Sequence, residues 1–159
     1  MNGAYLHLTL NHFSIIGSVF ALVLLAVGMG RQSRELITVS LACLAGVAII
    51  SIPVYLTGEP AESVVKSLPG VSKELIEPHE EAAQVAFAAI EFVGALALAG
   101  LWLFRVEPPP RWFLLILLVG SVLTAGVMIY TANQGRHIRH SEIASAQGTK
   151  RCPACAAAT

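Results

Sequence analysis

The chain has 159 residues, 55% of them hydrophobic and 13% charged, with a formal net charge of zero. That balance is too apolar for an ordinary soluble domain. With no dense basic tract, it also excludes a nucleic-acid binder that works by charge.

The first 11 residues carry no basic segment, and no small-residue cleavage pattern follows them. The apolar run behind them therefore reads as a retained first helix rather than a cleaved signal. Four runs are long enough to cross a hydrocarbon core of roughly 30 Å. They cover about 12–30, 36–57, 79–104 and 112–132. The expected fold is all-α: a polytopic membrane protein with a four-transmembrane-helix bundle and both termini on one side. Residues 1–143 form one transmembrane domain, and 144–159 form a flexible tail.

In chain order, Arg31 and Arg34 flank a short polar turn after the first run. The second run carries Ser40, Ala42, Ala45, Gly46, Ala48 and Ser51, small residues that permit close helix contact. Pro53 should bend or end it, and Thr57-Gly58-Glu59-Pro60 is a stop signal. Residues 59–78 form the one substantial loop, in which 61–68 could lie as a short interfacial helix. The third run opens with Pro78, at a position where helices tolerate proline, and Glu80 and Glu81 then favour its positive end. Three prolines between Arg105 and Arg111 make a stiff connector. The fourth run has Gly120, Ala125 and Gly126 as close-contact positions, with Trp112 and Tyr130 at its interface belts.

Call the side of the N-terminus side A. Four spans return the C-terminus there. The short connectors of side B carry Arg31, Arg34, Arg105 and Arg111 close to the span ends, which makes side B cytoplasmic by the positive-inside rule. The expected location is a bacterial inner (plasma) membrane with periplasmic termini.

All five histidines, His7, His12, His79, His137 and His140, fall on side A. Imidazole nitrogens suit zinc, copper and iron, including haem iron. One reading is haem b held by two histidines on neighbouring helices, drawn from His12, His79 and His140, with Arg136 or Arg139 meeting the propionates. The other is a transition metal ion bound by His12, His79, His137 and His140, completed by Glu80, Glu142 or Glu59. The plain alternative is that these histidines are interfacial, as His7 is read to be, and that Glu80 and Glu81 only cap the third helix. The sequence contains no H-E-x-x-H metal motif.

Glu91 lies eleven residues, ~16 Å, beyond Glu80 and so near mid-membrane. An ionisable group there is costly and usually faces the bundle interior. A proton relay, a quinone contact and a hydrogen bond to a ligand are open to it. The plain alternative is a hydrogen bond to a neighbouring helix, with Ser51, Ser121 and Thr124 as candidates. Cys43 reads as packing. Cys152 and Cys155 form a terminal C-x-x-C with no following histidine, so the c-type haem attachment pattern is absent. The two hairpins hint at an internal duplication, since His12 opens one and His79 the other.

Several of these segments resemble the DUF2231-type predicted four-helix membrane proteins. They are Asn11-His12-Phe13, Thr57-Gly58, His79 and the stretch Gly135-Arg136-His137-Ile138-Arg139-His140-Ser141-Glu142-Ile143. The resemblance covers roughly 9–143 and implies recurrent histidines at His12, His79 and His140, with His137 departing from the pattern. Such proteins are often associated with redox modules, which implies a haem-binding or metal-binding module linked to electron transfer. The function expected is a small integral membrane subunit, non-catalytic rather than an enzyme. Its partners would be the lipid bilayer and a periplasmic cytochrome, a quinone or a larger membrane complex. A purely structural subunit is the competing reading.

Overall fold

The computed structural model describes residues 3–59, 62 and 73–139. They form four long helices: α1 (Gly3–Arg31), α2 (Arg34–Leu56), α3 (Lys73–Leu103) and α4 (Arg111–Arg139). Each contains a stretch long and apolar enough to cross a membrane: Thr9–Arg31, Arg34–Leu56, Ile76–Leu103 and Arg111–Gly135. Consecutive helices pack side by side, and α1 also meets α4, so the four close into a ring. The postulated interfacial helix at 61–68, apart from residue 62, the tail at 144–159, its C-x-x-C and His140 lie outside the described residues.

The buried positions recur at alternating steps of three and four. On α1 the inward line is His7, Asn11, Ser14, Ser18, Ala21, Leu25 and Gly28. On α4 it is Leu114, Leu117, Ser121, Thr124, Met128, Thr131 and Gly135. This near-3.5 period is the seam of helices that pack almost parallel to one another. The apolar core holds several hydroxyls, and the outer face is unlike that of a soluble bundle. Ser14, Ser18, Ser40, Ser51, Ser121, Thr124 and Thr131 are buried, while Phe13, Ile16, Phe92, Leu123 and many other large apolar side chains face outward. Outward apolar surface on this scale is covered by lipid or by another apolar protein surface. Hydroxyls turn inward because hydrocarbon offers them no partner, and most bond back to a carbonyl of their own helix.

Small residues set how closely the helices approach. A Cβ on Gly94 would collide with the Cβ of Ala48, and one on Gly100 would stand 2.7 Å from Phe113 Cε1. On α2 the expected contact face is real at Ser40, Ala45, Ala48 and Ser51, whereas Ala42 is exposed. On α4, Gly120 approaches Val93 and Gly126 has open space around it. Cys43 packs at the edge of the core, in line with its reading.

The chain turns from α1 into α2 through a single left-handed residue, Gln32, with φ 53°. Ser33 N–H donates to Gly28 O (2.9 Å) and Gln32 N–H to Met29 O (3.3 Å), the two bonds of a Schellman close. Ser33 then caps α2, its Oγ accepting from Leu36 N–H. At the same end Arg34 donates to the carbonyl of Arg105 at 2.8 Å and ties the two connectors together.

α2 runs through Pro53 to the expected stop and is closed at Thr57, whose N–H and Oγ1 both donate to Pro53 O. Three helix boundaries differ from the sequence reading. α1 already begins at Gly3, ahead of the expected 12. α4 continues past residue 132 to Arg139. α3 starts at Lys73, six residues ahead of the expected 79, so Pro78 lies inside the helix. Buried Ile76 anchors this added turn to the bundle, and proline here removes only the bond back to the first-turn carbonyl of Glu74. Glu80 and Glu81 are consequently beyond the first turn, where the helix dipole no longer favours carboxylates.

Candidate functional site

The polar layer lies at the end of the bundle where α1 and α3 begin and α2 finishes. Two histidines build it, one from each hairpin. His7, on the inward line of α1, reaches α2, and its Nδ1 lies 2.9 Å from Val54 O. His79, on α3, reaches α4, and its Nδ1 lies 3.0 Å from Thr131 O. A carbonyl oxygen can only accept, so Nδ1 carries the hydrogen in both rings and Nε2 is the nitrogen left for a ligand.

Each ring also packs against a glycine one turn beyond its carbonyl partner. A Cβ on Gly58 would stand 3.7 Å from His7 Cε1, and one on Gly135 would stand 3.1 Å from His79 Cε1. Thr57 Oγ1 lies 3.4 Å from His7 Nδ1 and donates to Pro53 O and Val54 O, closing the last turn of α2. Burial pushes the His7 imidazole below its usual value near 6.5; the Val54 carbonyl opposes that shift, and the nearby charge site of His79 adds to it. The two imidazoles are thus close enough for charge on one to disfavour charge on the other.

The hairpins match in detail. A shift of 72 residues (79 less 7, 100 less 28) carries His7 to His79 and Gly28 to Gly100. A shift of 77 (131 less 54, 135 less 58, 113 less 36) carries Val54, Gly58 and Leu36 to Thr131, Gly135 and Phe113. Gly28 packs on Leu36 and Ile37 at the far end of the first hairpin, as Gly100 packs on Phe113 in the second. The structural counterpart of His79 is therefore His7, not His12.

His12 has a different placement. It lies five residues beyond His7, off the inward line, and its side chain is exposed. Two positions five apart on a helix differ by about 140° in direction, so both cannot face the bundle. His137 lies on α4, two residues past Gly135, as do Arg136 and Arg139 near its end. Glu80 is half-buried and Glu81 exposed on α3, and Glu59 is exposed beyond α2. Among the described residues, no three His, Cys, Asp or Glu side chains converge as a metal-ligand set.

Glu91 lies below this layer on α3, half-buried against α2. Ser51 Oγ donates to its Oε1 at 2.5 Å and also lies 2.7 Å from Ala48 O. Of the three expected hydroxyl partners, Ser51 is the one in contact. One turn toward the histidine layer, Tyr55 stacks on Phe87 with ring centroids 4.3 Å apart.

The sequence reading leaves His7 as an interfacial residue, whereas the structure turns it inward onto α2. The signal was its spacing: stepping back by threes and fours along Leu25, Ala21, Ser18, Ser14 and Asn11 leads to residue 7. No protein-family model, no curated protein and no solved structure matches this chain.

Proposed function

We propose that this small polytopic membrane protein is a redox subunit that holds haem b through His7 and His79 at the end of the bundle where α1 and α3 begin. The observation that carries the reading is the shared pose of the two rings. Each fixes its Nδ1–H on a backbone carbonyl, the support that metal-ligating histidines commonly have, and each leaves Nε2 to bind. Haem iron asks the protein for only two axial ligands, and two is the number of histidines that come together here. A bare zinc site takes three or four protein ligands. The bound group would exchange electrons with a quinone in the bilayer, a soluble cytochrome, or other subunits of a larger membrane complex.

The test is an absorption spectrum and elemental analysis of one sample purified from membranes. The reading expects stoichiometric iron and a Soret band that is lost in His7→Ala and in His79→Ala but kept in His12→Ala. An iron-free, colourless protein, or a Soret band indifferent to His7, overturns it.

A second reading has one observation behind it: α4 extends to Arg139 and brings His137 within a turn of the His79 contact. With His137 as third ligand the site would hold a bare transition metal ion. That reading expects zinc or copper in place of iron, with loss on His137→Ala.

A further inference from the structure

A small cavity lies at the centre of the bundle, below the histidine layer. It is walled by Leu44, Val47 and Ile90 and by three hydroxyl side chains: Ser18 from α1, and Ser121 and Thr124 from α4. The space open to the centre of a water-sized sphere is about 10 Å³. That is the lower bound for holding one water molecule. Ser121 Oγ is buried there with no hydrogen-bond partner, and the residue is 3% exposed.

We infer that this cavity is a binding site for one structural water molecule, held by Ser18, Ser121 and Thr124. The assignment follows from counting hydrogens. A hydroxyl has one to donate and can accept twice. Ser18 spends its hydrogen on Ser14 O at 2.8 Å, with Met128 Sδ a weaker second acceptor at 3.4 Å, and Thr124 spends its own on Gly120 O at 2.8 Å. Both oxygens therefore present only acceptor capacity to the cavity. Ser121 has its hydrogen unspent. A water between them accepts from Ser121 and donates to Ser18 and Thr124, three bonds in all, the usual number for a buried water. It relieves the one orphaned hydroxyl among the described residues. The apolar wall leaves it no other partner.

The test uses the full chain in lipid nanodiscs. A high-resolution structure should show a density peak within hydrogen-bond distance of all three hydroxyls. Thermal unfolding of Ser18→Ala, Ser121→Ala and the double variant supplies a second readout. Ser18 and Ser121 stand on different helices, so a shared water makes their effects non-additive. Each single variant then lowers the melting midpoint, and the double lowers it by less than the sum. Two results overturn the proposal. One is an empty cavity with Ser121 Oγ turned onto the Leu117 carbonyl. The other is a Ser121→Ala midpoint equal to or above that of the parent, as removal of an orphaned hydroxyl from a dry site would give.

Discussion

His7 and His79 occupy equivalent positions in the two helical hairpins, each anchored through Nδ1–H to a carbonyl of the helix that follows and each lying against a glycine one turn further on. The equivalence reaches the opposite end of the bundle, where Gly28 and Gly100 make matching close contacts. Two hairpins that each bring a histidine to the same end place a pair of imidazoles there. Such pairing is a physical reason to look for a ligand with two axial positions.

The histidine layer makes stability sensitive to acid. His7 is held below its usual value near 6.5, first by burial. In the unfolded chain it takes up a proton as pH falls through 6.5, while in the folded chain it resists. The unfolded state then binds more protons, so stability present above pH 6.5 declines below it. Melting midpoints measured from pH 7.5 to 5 should fall, and His7→Gln should flatten that part of the profile. An unchanged profile in His7→Gln would remove the argument for a buried neutral ring.

Gly135 controls the pose of His79. A methyl group there would stand 3.1 Å from His79 Cε1 and 3.2 Å from Nδ1. Gly135→Ala should shift the ring off the Thr131 carbonyl and, on the proposed haem reading, lower haem content several-fold with little change in helicity. Cofactor-to-protein ratio and circular dichroism on one sample check both halves.

The glycines fall into two groups. At Gly94 an added methyl group runs into Ala48, so Gly94→Ala should part α2 from α3 and cost about 1–3 kcal/mol. At Gly126 nothing lies within 4 Å, so Gly126→Ala should be neutral or stabilise by up to about 1 kcal/mol through helix propensity alone. Unfolding in mixed detergent compares them directly, and equal effects would show that helix approach at Gly94 is looser than described.

Gln32 is the only described non-glycine residue with positive φ. A side chain at this left-handed position costs on the order of 1 kcal/mol, which glycine avoids. Gln32→Gly should therefore raise the melting midpoint while keeping the Schellman bonds. A lowered midpoint would mean that the Gln32 side chain contributes more than its backbone strain costs.

Ser51→Ala should be worse than its size suggests. It strips Glu91 of the hydroxyl that meets it within the membrane, at a cost of about 1–3 kcal/mol. Glu91→Leu with Ser51→Ala should recover most of that loss, since removing both partners leaves no orphan. If the double variant is no more stable than Ser51→Ala alone, the pair is not the unit described.

The sequence by itself determined the four spans, their all-α class and the gathering of polar side chains at one end. Those features follow from one-dimensional physics: a hydrocarbon core demands about twenty apolar residues with every backbone bond satisfied, and that demand is written in length and hydropathy. The inward face of each helix was harder to read, because the lipid side is as apolar as the packed side and leaves no amphipathic contrast. Proximity to an apolar run therefore favoured His12 over His7. Likewise Pro78 looked like a helix start, because burial of Ile76 is invisible along the chain. Only the tertiary structure decided which histidine turns inward, that Ser51 rather than Ser121 meets Glu91, and that Ser121 is left facing a cavity. These choices depend on helix rotation and register, which small-residue contacts such as Gly94 on Ala48 fix across the bundle.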